Sequence, residues 1–262
     1  HTLRRFLLDM DGTIYLGGRA IEGAAQFVAY LRASGRAFLF FTNNPTRDAA
    51  AYADKLRGLG IGAAPREVLT AGEATVRHLL QTPYRRVYAV ANPSFMAELA
   101  QAGFTLTEDD PEAVVLAFDP TLRYKKLATA THWLRAGLPY IATNPDRVCP
   151  TEDGYIPDCG ATAALLEAAT GRTPEYIGKP NAAMVRLGLE KLGASDQRLG
   201  TAMVGDRLYT DIAMAHAAGI TGVLVLSGET TEAAAAVADP PPHHVCSSVA
   251  ALHEALQAGD NA

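Results

Sequence analysis

Two carboxylates set two residues apart, Asp9 and Asp11, follow the apolar run Phe6-Leu7-Leu8 and precede Gly12-Thr13. Residues two apart in extended backbone face the same way, so both acids can address one point in space. Acids that close repel each other unless a cation or a shared proton intervenes. The pattern therefore calls for a bound divalent metal, for a split of roles between nucleophile and proton donor, or for both. The alternative is a capped turn, in which Asp and Gly are ordinary residues.

Three further stretches carry polar chemistry at the ends of apolar runs. Thr42-Asn43-Asn44 follows Phe38-Leu39-Phe40-Phe41 and offers a hydroxyl and amide donors, which suits an oxyanion; a strand-ending turn stopped by Asn-Pro fits as well. Gly205-Asp206-Arg207 follows Met203-Val204, and Asp211 comes five residues after Asp206, where it serves equally as a helix cap or a site acid. Lys179 sits between Gly178 and Pro180, just ahead of a helical pattern that begins near Ala182. A lone lysine is ordinarily solvent-exposed, but these neighbours fix the backbone and aim the side chain. The histidines are scattered: His132 and His216 fall in helical patterns and read as packing or surface residues. His243-His244 follow Pro240-Pro241-Pro242, a stiff connector.

Short apolar runs alternate with helical patterns, the signature of parallel βαβ units. Strands are predicted at Phe6–Leu8, Ala37–Phe41, Val87–Ala91, Val114–Phe118, Tyr140–Thr143, Ala202–Val204 and Val223–Leu226. Helices are predicted at Ala24–Ala33, Ala49–Leu59, Ala161–Ala169, Ala182–Leu192, Asp211–Ala218 and, as a short surface helix, around Ala233–Ala236. Several stop at glycine, as helix ends prefer. One set of strands runs into Asp9, Thr42 and Asp206. The other runs into Asn92-Pro93, Asp119-Pro120 and Asn144-Pro145. This contrast predicts two α/β domains: a doubly wound parallel sheet from residues 1–80 and 177–262, with a second, smaller α/β domain from 81–176 inserted into it.

Composition narrows the function classes. The 262 residues are 48% hydrophobic, enough for a packed core. A net charge of −5 with no Lys/Arg block argues against nucleic-acid or membrane-surface partners. No apolar stretch approaches the roughly 18 residues that span a bilayer, and Asp9 and Asp11 interrupt any signal-like run after Arg4-Arg5. Three cysteines without a CxxC pair fit a reducing, cytoplasmic setting. No GxxxxGK[ST], GxSxG, HExxH or GxGxxG pattern occurs. The leading His1 carries no weight.

Four motifs in order resemble those of the haloacid dehalogenase superfamily, and of its class IIA, NagD-like and nitrophenylphosphatase-like phosphatases in particular: Asp9-Met10-Asp11-Gly12-Thr13, Phe41-Thr42-Asn43-Asn44, Ile177-Gly178-Lys179-Pro180, and Val204-Gly205-Asp206-Arg207 with Thr210-Asp211. Ala142-Thr143-Asn144-Pro145-Asp146 and Ile156-Pro157-Asp158-Cys159-Gly160-Ala161 resemble the cap of that subfamily. The resemblance implies a Rossmann-like core with an inserted cap. It also implies Asp9 as the nucleophile forming an aspartyl phosphate and Asp11 as the acid and then base. Mg²⁺ would be held by Asp9, Asp206 and the main-chain carbonyl of Asp11, with Asp211 supporting it. Thr42, Asn43, Asn44 and Lys179 would bind the phosphate. The substrate would be a small phosphate ester of the nucleotide, phosphoglycolate, pyridoxal phosphate, glycerol phosphate or sugar phosphate class, and a homodimer is expected. Asp11 separates this branch from the dehalogenases, since halide departs without a proton. A phosphotransferase or mutase on the same fold, or a catalytically idle binding protein, are the rival readings.

Overall fold

The computed structural model describes residues 3–151, 154–195 and 197–260; His1 lies outside them. Two compact units emerge, one from residues 1–42, 49–69 and 180–262, the other from 43–48 and 70–179.

The first unit is built on a six-stranded sheet in the order His244–Cys246, Thr221–Val225, Thr201–Gly205, Arg5–Asp9, Ala37–Thr42, Val68–Thr70. The pairings from His244–Cys246 across to Ala37–Thr42 are all parallel, with Leu8 opposite Val204 on one side and Phe40 on the other. Strands buried on both faces of a parallel sheet are near-continuously apolar, and Phe6, Leu7 and Leu8 are fully buried. Phe6 and Leu8 pack with Phe27, Leu31, Phe40, Tyr52 and their neighbours in one core. Helices Ala24–Ala33, Ala49–Gly58 and Ala182–Lys191 form where their periodicity places them, and Gly35, Gly60, Gly193 and Gly219 close helices with positive φ. Val68–Thr70 and His244–Cys246 extend the sheet beyond the predicted strands. The first is three residues long and the second is an exposed edge, so neither shows as an apolar run. Helix Val249–Asp260 is a further element outside the predicted set.

The second unit carries a five-stranded sheet in the order Glu175–Tyr176, Tyr140–Ala142, Ala113–Leu116, Arg86–Val90, Thr105–Leu106, parallel throughout. Its core gathers Val90, Val114, Leu116, Leu134 and Leu166. A hairpin, Val148–Thr151 with Gly154–Pro157, leads into helix Cys159–Thr170, two residues longer at its start than predicted because Asp158 caps it. Asn92 does more than end a strand. Its side chain accepts from the Phe95 N–H at 3.1 Å and N-caps helix Pro93–Gln101, with proline in the first turn where no N–H is needed.

The crossing expected near Gln81 compares with a second unit that takes residues 43–48 and resumes at Thr70. Helix Ala71–Leu80, capped by the Thr70 hydroxyl, packs against Pro93–Gln101. Gly72 lies so near Phe95 that an added Cβ would stand 3.1 Å from its ring. The return crossing lies after Lys179 rather than after Tyr176. No helix among the described residues is long and apolar enough to cross a membrane.

One partly buried acid makes the second unit pH-sensitive. Burial, with Asp48 and Glu73 adding repulsion, pushes the Glu98 carboxyl up to about 7, and its Oε1 is buried without a hydrogen-bond partner. A carboxyl raised on folding lends stability that is complete below its unfolded value and is lost as pH climbs through the folded one. Glu98→Gln, which never ionises, is therefore expected to melt above the wild type at pH 8 and level with it at pH 5. Equal melting temperatures at pH 8 would refute this.

Candidate active site

The larger sheet reverses its winding at Arg5–Asp9, which has Ala37–Thr42 on one side and Thr201–Gly205 on the other. Open α/β sheets bind ligands beyond the carboxyl ends of the strands at such a switch point. Asp9 ends the first of these strands and Thr42 the second, while Asp206 comes directly after the third. All three are buried.

The carboxylates of Asp9, Asp206 and Asp211 come together, with one oxygen from each lying within 4.8 Å of the others. Glycines make room for them. An added Cβ at Gly12 or Gly228 would collide with the Asp206 carboxylate, and one at Gly205 with that of Asp211. Gly12 also takes φ +82°, a conformation that L side chains rarely adopt. The Ser227 hydroxyl donates to the Gly12 carbonyl at 2.7 Å, closing this wall. Asp206 Oδ2 accepts the Glu229 N–H at 2.7 Å, and the Thr13 hydroxyl donates to Asp9 Oδ2 at 3.4 Å.

Asp211 is not the helix cap that one reading of the sequence allowed. It lies inside a single π-turn, Leu208–Ile212, ahead of helix Ala213–Ala218, and is completely buried. Its Oδ2 accepts the Arg207 N–H at 3.1 Å, which turns the carboxylate back toward Asp206. Isolated π-turns recur at functional sites because they re-aim a side chain.

Three carboxylates this close repel pairwise by roughly 3 to 4 kcal/mol at an effective dielectric of 20. An all-oxygen donor set of this kind fits a hard cation such as Mg²⁺, and among the described residues no histidine or cysteine joins it to favour zinc. Asp11 keeps its carboxylate outside this group and accepts the Tyr15 hydroxyl on Oδ2 at 3.1 Å. Burial first, then the charge of Asp11, raises the Tyr15 phenol well above its usual value, so it stays protonated.

Three of the expected phosphate-binding residues, Asn43, Asn44 and Lys179, belong to the second unit. The Asn43 side chain grips the Lys179 peptide from both sides: its Nδ2 donates to the Lys179 carbonyl at 3.1 Å, and its Oδ1 accepts the Lys179 N–H at 2.8 Å. Lys179 is only 3% exposed, so the solvated-lysine reading does not hold. Gly178 is required there because an added Cβ would strike the Thr143 carbonyl and Asn43 Oδ1. Asn44 accepts from the Thr46 N–H and hydroxyl at 2.9 and 2.6 Å in an Asx turn. The amides of Asn43 and Asn44, expected to face an oxyanion, are thus engaged with the protein. Tyr15 is a site residue that the sequence does not single out, and Thr13, although part of the first motif, carries no role of its own there.

Known proteins resemble this chain in sequence and fold. A family model described as haloacid dehalogenase-like hydrolase matches residues 6–105, and one described as HAD-hydrolase-like matches residues 176–252. The acid sugar phosphatase of Staphylococcus aureus (strain MRSA252) is 36% identical over 230 residues, 87% of this chain and 88% of its own. A 4-nitrophenylphosphatase from Thermotoga maritima superposes with a TM-score of 0.93 at 40% identity, covering 97% of this chain and 98% of that one. A glycerol phosphate phosphatase from Mycobacterium tuberculosis, crystallised with magnesium, gives a TM-score of 0.88 at 33% identity, covering 97% of this chain and 78% of that one.

Proposed function

The chain belongs to the haloacid dehalogenase-like hydrolases, in their NagD-like, 4-nitrophenylphosphatase-like branch, and from that premise we propose how its residues divide the work. It is a Mg²⁺-dependent phosphomonoester hydrolase. In the proposed first step an Asp9 carboxylate oxygen attacks phosphorus, the ester P–O bond breaks, and Asp11 gives its proton to the departing oxygen. In the second, Asp11 takes a proton from water as the hydroxide attacks phosphorus, and the aspartyl phosphate releases Asp9 and inorganic phosphate. Asp9, Asp206 and Asp211 would hold Mg²⁺, with the Asp11 main-chain carbonyl beside them. The cation would supply the positive charge that lets carboxylate and phosphate meet. Thr42 and Lys179 would hold the phosphate oxygens, with Asn43 and Asn44 bracing the segments that carry them. The observation supporting this reading is the trio of buried carboxylates at the switch point with Asp11 two residues from Asp9.

For the substrate we propose a sugar phosphate, on the strength of the 36% identical acid sugar phosphatase. The odd count of three cysteines supports a reducing, cytoplasmic setting. A panel of sugar, glycerol, nucleotide, phosphoglycolate and pyridoxal phosphates tests the substrate, and a preference in kcat/KM for any class but sugars would overturn this part.

The two acids separate by leaving group. General acid catalysis contributes roughly 10²–10⁴-fold, and nitrophenol needs far less of it than an alkyl alcohol. Asp11→Asn is therefore expected to lower kcat/KM steeply on an alkyl phosphate and slightly on 4-nitrophenyl phosphate. kcat/KM is the quantity to compare, because it stops at formation of the aspartyl phosphate. Loss of the base should also leave that intermediate accumulating, seen as a burst of nitrophenol. Equal losses in kcat/KM on both esters would contradict the role.

A further inference from the structure

Asp11 sits on a loop beyond its strand, and something must hold its carboxylate still if it is to deliver a proton. The chain reverses directly after it. The Met10 carbonyl accepts N–H groups from Thr13, Ile14 and Tyr15 at 3.3, 2.8 and 3.1 Å, and the Gly12 N–H donates to the Tyr15 carbonyl at 2.8 Å. This turn lays Tyr15 beside Asp11 in an isolated bridge. Tyr15 then opens a two-residue hairpin, with Tyr15 opposite Ala20 and Leu16 opposite Arg19. The flap is half exposed at Leu16, yet the Tyr15 ring is fully buried and belongs to the main core. The Lys55 ammonium stands 3.6 Å from the centre of that ring, a cation–π contact that fixes it from helix Ala49–Gly58.

We propose that Tyr15 is a positioning residue for the acid–base step: its hydroxyl, donating to Asp11 Oδ2 at 3.1 Å, anchors the carboxylate to the core and fixes the direction in which it meets the leaving group in the first step and water in the second. The aliphatic and aromatic packing of Tyr15 supplies rigidity, while its hydroxyl supplies direction. This inference rests on the acid–base reading of Asp11.

The experiment is a cycle of Tyr15→Phe, Asp11→Asn and the double variant on an alkyl phosphate and on 4-nitrophenyl phosphate. Phenylalanine keeps the ring and its packing, and melting curves confirm that each variant is folded. Tyr15→Phe is expected to lower kcat/KM on the alkyl ester about tenfold or more and on the nitrophenyl ester by less than about threefold. In the Asp11→Asn background it should add almost nothing, because residues acting as one unit are non-additive. Equal losses on the two esters, no loss on either, or full additivity in the double variant would overturn the proposal. Asp11→Asn alone tells the two readings apart. If it shows the leaving-group dependence and Tyr15→Phe does not, only the role of Tyr15 fails; if it shows none, the acid–base assignment falls first.

Discussion

Asp9→Asn is expected to be folded and inactive, with kcat lowered by at least about 10⁴-fold, the scale on which loss of a nucleophile is felt. An amide nitrogen or oxygen in that place cannot form the acyl phosphate. The fold has no reason to suffer. The Thr13 hydroxyl, which donates to Asp9 Oδ2 at 3.4 Å, can donate equally to an amide oxygen, and one negative charge leaves a crowded trio. The variant should therefore melt no lower than the metal-free wild type. Circular dichroism and phosphate release check the two halves of the statement. A folded variant retaining a tenth of the wild-type rate would show that Asp9 is not the nucleophile.

Chelation is expected to have an effect of the same order. With the cation stripped, the carboxylates of Asp9, Asp206 and Asp211 face one another within 4.8 Å, and a phosphate would add further negative charge. Activity should vanish in chelator and return with Mg²⁺. Binding should also stabilise the folded chain independently of turnover, by about 2.7 kcal/mol at a hundred times the dissociation constant. For a chain of this size that is a rise in Tm of roughly 5–10 °C. Asp206→Asn keeps an acceptor for the Glu229 N–H but removes one charge, so it should flatten the Mg²⁺-dependent shift. Full activity in chelated buffer, or a Tm indifferent to Mg²⁺ in the wild type, would count decisively against the assignment.

The acids themselves are legible in the sequence because each stands at the end of a strong apolar run. Phe6-Leu7-Leu8 and Met203-Val204 announce buried strands, and the residues just past a buried parallel strand lie at the binding edge of the sheet. Asp211 is harder. An acid five residues past Asp206 satisfies a helix-start rule as well as a site, and only the π-turn, which no periodicity announces, decides between them. The roles of Asn43 and Asn44 are hidden for a different reason. An asparagine at a strand exit offers the same amide to a ligand or to a distant peptide, and the partner of Asn43, Lys179, is 136 residues away. Helix Ala71–Leu80 cannot be assigned to the second unit from its own residues, because its contact with Pro93–Gln101 is tertiary. Nothing local in Ala71-Gly72-Glu73 distinguishes the two memberships.

The grip of Asn43 on the Lys179 peptide has a consequence for how the chain reaches its folded state. Within the second unit, Gly178 also lies against Ala71, to whose Cβ an added side chain would come within 3.0 Å. The long segment from Thr70 to Lys179 thus starts and finishes at one spot. A disordered loop on the order of a hundred residues would cost about 4 kcal/mol in closure entropy when its ends are brought together. If that segment collapses on its own parallel sheet first, it draws its two ends together before strands Arg5–Asp9 and Thr201–Gly205, neighbours in space but far apart along the chain, have to find each other. An insertion that closes itself in this way takes its own length out of the effective polymer between those strands, and the slow search expected of non-local parallel pairing is correspondingly reduced.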